Sequence, residues 1–242
     1  MLDFSYYLIV SFCILLFAIS KSGFSGGGLA LISVTVLSIT YGPLTAIAIL
    51  MPMLIAVCDV IAIYLNRKYY DHQVIWSMAP FSLLGVVAGT ILFKFISLSL
   101  ISIFIGSISL TYVYLNYMAK KSKIMKIPFY GNKGLWGALA GFTSFVLHSG
   151  GLPLNIYYMS VYNQKLQFVA GVVFSIALIN VFKLVPYFYL DILNIQSLLN
   201  YLLFSPVAVI GVILGHWMNS KLSDKSFFCL LYTSDAADEV QC

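Results

Sequence analysis

Gly23-Phe24-Ser25-Gly26-Gly27-Gly28 and His148-Ser149-Gly150-Gly151 are the two stretches on which the reading of this chain turns. Each interrupts an apolar run. The flanking segments are short for a bilayer: 6–19 and 27–39 around the first break, 134–147 and 152–162 around the second. About fifty residues after each break the same spaced pattern returns, Pro80-x4-Gly85-x3-Gly89 and then Pro206-x4-Gly211-x3-Gly215. A broken helix that recurs in two halves of a hydrophobic chain points to the binding site of a transporter.

Composition sets the frame for that reading. Of 242 residues, 61% are hydrophobic and 9% charged, and the mean hydropathy is +0.98. Runs such as 43–65 and 98–118 exceed the roughly 18 apolar residues that indicate a spanning helix. The chain reads as an all-α polytopic membrane protein with the lipid bilayer as its solvent. Its net charge of +5 bears on topology and on an anionic partner. No basic patch with interleaved aromatics suits nucleic acid. Cys13, Cys58, Cys229 and Cys242 form no CxxC pair, so neither a disulfide framework nor a zinc site is expected. No metal or other cofactor is called for. The N-terminus lacks the basic region of a signal peptide and reads as a retained first helix.

The expected segments are 6–19, 27–39, 43–65, 74–93 and 98–118 in a first repeat (1–118). A lysine-rich cytoplasmic linker follows (119–133). The second repeat (134–228) holds 134–147, 152–162, 166–190 and 197–218. Cytoplasmic loops carry the excess of Lys and Arg. If each glycine break is a hairpin that enters and returns on one side, ten of the thirteen basic residues fall in the cytoplasm, all except Lys21, Lys94 and Lys183. The first half then begins outside and the second inside. The halves become inverted repeats whose breaks approach the centre from opposite faces, the usual arrangement for alternating access. After Phe228 an apolar last helix is due, but the sequence reads Cys229-Leu-Leu-Tyr-Thr-Ser-Asp-Ala-Ala-Asp-Glu239. It resembles a translated sequencing adapter, and 229–242 is expected to be a non-native tail on a truncated second repeat.

Glycine allows a sharp turn and close approach of a ligand to the backbone. The half-helices that follow each break present free N–H groups and a positive dipole end, which bind an anion without a dedicated charge. The expected substrate site is Ser25, Gly26, Gly27 and Gly28 with His148, Ser149, Gly150 and Gly151, and Lys21 just ahead of the first break. Pro153 fits the first turn of its half-helix. Asp59 is the only acid inside a membrane segment and is the candidate for proton coupling. Against this stands an interfacial carboxylate near Arg67 and Lys68. Lys183 falls at nearly the matching place in the second half. Inversion separates it from Asp59, and it is expected to snorkel outward. The Gly85/Gly89 and Gly211/Gly215 pairs read as helix-packing motifs.

At these motifs the chain resembles the TauE/SafE family of membrane permeases, exporters of sulfite and organosulfonates. The resemblance rests on Gly23-Phe-Ser-Gly-Gly-Gly28 and on Gly141-Phe-Thr-Ser-Phe-Val-Leu-His-Ser-Gly-Gly151-Leu-Pro153, with the Pro-x4-Gly-x3-Gly repeats in support. It spans about 5–228. It implies transport of a small sulfur-containing anion across the cytoplasmic membrane of a prokaryote, with Gly26–Gly28 and Gly150–Gly151 as the central motifs. The chain departs from the family in having Ala30-Leu31-Ile32 where a proline commonly follows the first glycine run. An anion channel and a non-transporting membrane scaffold are the rival readings, and homo-oligomerisation is left open. No nucleophile elbow, P-loop or paired catalytic carboxylates are present, so no enzyme is expected.

Overall fold

The computed structural model describes residues 4–23, 28–95, 103, 107, 110, 131–224 and 226–227. Phe24–Gly27, most of the expected segment 98–118, the linker up to residue 130 and the tail 228–242 lie outside the described residues. The elements are α1 (Phe4–Gly23), α2 (Gly28–Tyr41), α3 (Pro43–Met53), α4 (Asp59–Asn66), α5 (His72–Phe95), α6 (Lys133–Leu147), α7 (Gly151–Val161), α8 (Lys165–Tyr189), α9 (Ile195–Tyr201) and α10 (Ser205–Lys221). No strand occurs among the described residues. Five stretches are long and apolar enough to cross a bilayer: Phe4–Ser22, Pro43–Tyr69, His72–Phe93, Lys165–Tyr189 and Ile195–Lys221. The protein is an integral, multi-pass membrane protein.

Three expectations need correction. The first helix does not stop at Ile19. It has 20 residues and runs to Gly23, because its polar end is satisfied inside the protein. Ser22 Oγ donates to the Ala18 and Val212 carbonyls at 3.1 and 2.8 Å, and Lys21 finds a carbonyl of its own. At about 1.5 Å rise per residue α1 reaches about 30 Å, enough to span. The segment 43–65 is not one regular helix: a π-helical turn, Leu54–Cys58, joins α3 to α4. Pro52 lies just upstream inside α3. Its missing N–H and its ring clash disturb the i→i−4 ladder, which widens to recover its hydrogen bonds. The last spanning stretch is likewise composite. In it α9, capped by Asn194 and Ser197, passes through a 3-10 turn, Leu202–Phe204, into α10.

Two tight helix pairs organise the bundle, α1 against α10 and α5 against α6. The glycine motifs make both. A Cβ on Gly85 would run into the Ala138 carbonyl oxygen and come within 2.8 Å of Phe142 N. One on Gly211 would come within 2.9 Å of the Leu15 carbonyl oxygen and 3.5 Å of Ile19 N. Leu15 and Ile19 therefore stand in one pair where Ala138 and Phe142 stand in the other. Small residues let the backbones touch, and van der Waals contact then holds helices that hydrophobicity cannot sort in lipid.

Loops that the charge count assigns to the cytoplasm share one end of the bundle. Tyr162 donates through its hydroxyl to Asp71 Oδ2 at 3.0 Å. Lys165 Nζ donates to the carbonyls of Asn219, at 3.0 Å, and Leu222. Gly131 lies beside Ser160. Arg67, Lys68, Lys133, Lys165 and Lys221 are thus gathered together, while Tyr6, Tyr41 and Phe204 pack edge to face at the opposite end.

Candidate functional site

The site is built where α6 ends. His148 closes that helix in the left-handed conformation, φ 52° and ψ 24°, with its N–H on the Ser144 carbonyl at 3.0 Å. A non-glycine residue in this region is uncommon and is held there by its surroundings. Gly150 then turns the chain into α7. A Cβ at Gly150 would lie 2.7 Å from Ser144 Cβ and 2.8 Å from the Ala140 carbonyl oxygen, so glycine is required for the break to fold back on α6. Gly151 opens α7, which has no side-chain cap. Its 11 residues cover about 16 Å, half a bilayer.

Two lysines converge on this break. Lys21, from the end of α1, donates through Nζ to the His148 carbonyl at 3.1 Å and lies 5.2 Å from the centre of the Phe17 ring. Lys183, from the middle of α8, donates to Ser144 Oγ at 3.1 Å, to the Ser144 carbonyl at 3.1 Å and to His148 Nδ1 at 3.0 Å. Those three acceptors match the three N–H bonds of an ammonium. Lys21 is 5% exposed and Lys183 0%. No carboxylate among the described residues is hydrogen-bonded to either. The imidazole is defined by its partners. Nε2 faces the Ile47 carbonyl at 3.3 Å, which only accepts and so places a proton on Nε2, leaving Nδ1 as the acceptor for Lys183 Nζ. The ring is therefore the neutral tautomer with its proton on Nε2.

Asp59 stands at the exit of the π turn, half-buried, and its Oδ2 accepts from Asn180 Nδ2 at 2.7 Å. Asn180 precedes Lys183 by less than one turn, so both point from the same face of α8. Two buried side chains close the set: Ser149 Oγ and Asn180 Oδ1 have no hydrogen-bond partner among the described residues.

The structure thus brings Lys21, His148, Ser149, Gly150 and Gly151 together, with Asp59 beside them. Gly28 is the first residue of α2, whereas Ser25, Gly26 and Gly27 lie outside the described residues. The expectation that Lys183 snorkels outward is overturned. α4 and α8 pack side by side at this depth, so Lys183 faces the break, on the face of α8 that also presents Asn180 to Asp59. Asp59 is equally no partner of the Arg67 loop: the Arg67 guanidinium sits 3.9 Å over the Tyr64 ring instead. Sequence reasoning missed Lys183, Asn180 and Ser144. The available signal was an Asn and a Lys at helical spacing within an otherwise apolar run. No cluster of His, Cys, Asp or Glu suited to a metal occurs among the described residues.

Chemically, the arrangement offers two buried lysine amines, a helix N-terminus and a free hydroxyl to a ligand, with one carboxyl group in reserve. No curated protein and no solved structure matches the chain. A family model described as Sulfite exporter TauE/SafE matches residues 11–234, from within α1 to beyond α10. The chain therefore belongs to the TauE/SafE family and is a membrane transport protein.

Proposed function

We propose that the protein carries a small anion of the sulfite or organosulfonate class across the cytoplasmic membrane by alternating access. The anion sits between Lys21, Lys183 and the N-terminus of α7, and Asp59 is the coupling proton site. The observation that carries this reading is the convergence of two buried lysines on His148, with no carboxylate among the described residues bonded to either. Charges at this depth are costly and persist where they have work to do. A helix N-terminus with a free buried hydroxyl beside it completes an anion cradle. α2, which begins at Gly28, is the counterpart half-helix in this reading. His148, Ser149, Lys183 and Lys21 are all buried, which fits a closed stage of the cycle better than a continuous pore.

Reconstitution tests this. Purified protein in liposomes loaded with unlabelled sulfite is expected to accumulate labelled sulfite by counterflow, with a saturable rate. A flux that rises linearly with concentration and shows no counterflow overturns alternating access in favour of a channel. No flux of any anion removes the transport reading of this site.

A further inference from the structure

A helix ends with its last carbonyls unpaired, and within a membrane each must find a donor from the protein. At the end of α6 the left-handed turn at His148 recovers one of them. The His148 N–H returns to the Ser144 carbonyl at 3.0 Å, the bond expected of such a cap. The next carbonyl, that of Phe145, is passed over. In a continued helix it would accept from the Ser149 N–H, but that N–H turns to the Thr143 carbonyl at 3.4 Å instead. Phe145 is fully buried, so solvent does not reach it. Its partner comes from α8, where the Tyr187 hydroxyl donates to the Phe145 carbonyl. Tyr187 is itself fully buried. Its ring stands edge-on to His148, with centroids 6.0 Å apart and planes at 88°, and lies 4.8 Å from the Phe145 ring. Tyr187 follows Lys183 by one helical turn, so both project from one face of α8. Lys183 takes the Ser144 carbonyl and Tyr187 the Phe145 carbonyl.

We infer that Tyr187 is a positioning residue: by occupying the Phe145 carbonyl it keeps α6 from winding on through His148, and so holds the break in its bent form. Left-handed backbone is unfavourable for a residue with a Cβ and persists only where the surroundings enforce it. Without the hydroxyl, the Phe145 carbonyl is buried and unpaired, which is a second penalty. The nearest remedy is the Ser149 N–H. Taking it extends the regular helix, returns His148 to the right-handed region and removes both penalties at once. The same rotation carries the His148 carbonyl off Lys21 and Nδ1 off Lys183, and it displaces the start of α7. The bond from Tyr187 joins two neutral groups, so this hold is independent of the charge on either lysine. Its effect on cargo affinity rests on the anion reading above; the hold on His148 does not.

Tyr187→Phe deletes the hydroxyl and keeps the ring. In sulfite counterflow it is expected to raise the half-saturation concentration about tenfold, with the maximal rate per folded protein within about twofold of wild type. A hydroxyl that served only the fold would lower the amount of folded protein and leave half-saturation unchanged. Tyr187→His restores an N–H donor on a ring and is expected to bring half-saturation back to within about threefold of wild type. A second readout is independent of transport. In protein isotope-labelled at the histidine ring nitrogens, the Nδ1 magnetic-resonance signal of His148 is assigned by its absence from His148→Gln. It is expected to shift in Tyr187→Phe and to return in Tyr187→His. Wild-type half-saturation in Tyr187→Phe, a His148 signal that does not move, a Tyr187→Phe chain without a monodisperse peak, or no recovery in Tyr187→His overturns the positioning role. If the wild type shows no sulfite counterflow, the anion reading falls and the His148 signal alone decides the role of Tyr187.

Discussion

Leu15 and Ile19 press on Gly211 as Ala138 and Phe142 press on Gly85, so the first helix of each half is matched, in register, to the fourth helix of the other. Carried along that register, Gly28 opens α2 where Gly151 opens α7, and Lys21 occupies the place of Ser144. On the third helices Asp59 falls at nearly the place of Lys183. One frame thus holds two chemistries. The first half puts a lysine ahead of its break and a carboxylate on its third helix. The second puts a hydroxyl at the matching place and a lysine on its third helix. We read the two halves as one repeated frame, in which the side chains that differ set the chemistry of the centre between them.

The largest effect is expected where the frame itself is attacked. In Gly85→Leu and Gly211→Leu the new side chain collides with backbone atoms of the partner helix, and overpacking of this kind costs about 1–3 kcal/mol or more. Both variants are expected to lose the monodisperse peak in size-exclusion chromatography, or to melt well below the wild type. If one is tolerated and the other is not, the two helix pairs are not equivalent and the comparison breaks.

Next come the lysines, which separate the halves chemically. Lys183→Met retains length and packing while removing the group that ties Ser144 to His148 at the break. Loss of one such hydrogen bond to a charged group, about 1.5–3 kcal/mol, corresponds to an affinity for sulfite lower by about 10- to 150-fold, read by counterflow at fixed amounts of folded protein. Lys21→Met removes an ammonium that has one carbonyl partner and a ring face, and a loss nearer tenfold is expected. If the order is reversed, the first half carries the principal charge.

Much of the frame was legible in the sequence, because it depends on local signals. Glycine runs, prolines and apolar stretches report a helix break wherever they occur, and the Gly-x3-Gly pairs announced the two contacts that organise the bundle. The site was legible only where its residues adjoin a break. Lys183 meets Ser144 and His148 from 39 and 35 residues away, and Lys21 meets His148 across 127. The direction in which a helix turns a lone lysine is set by packing with neighbours that no local pattern encodes. The same holds for the π turn, whose local cause, Pro52, is visible but whose place just ahead of Asp59 is not.

The smallest effect sharpens the comparison most. Ser144 stands at the place of Lys21, so Ser144→Ala and Lys21→Met remove the matched side chains of the two breaks. Alanine deletes one of the three acceptors around Lys183 and leaves the Ser144 carbonyl and His148 Nδ1 in place. A hydroxyl contact of this kind contributes about 1 kcal/mol, so sulfite affinity is expected to fall about fivefold or less, with little change in melting temperature. If Ser144→Ala instead costs as much as Lys21→Met, the hydroxyl must bind the cargo directly. The second break would then supply more of the anion's coordination than its support of Lys183 accounts for.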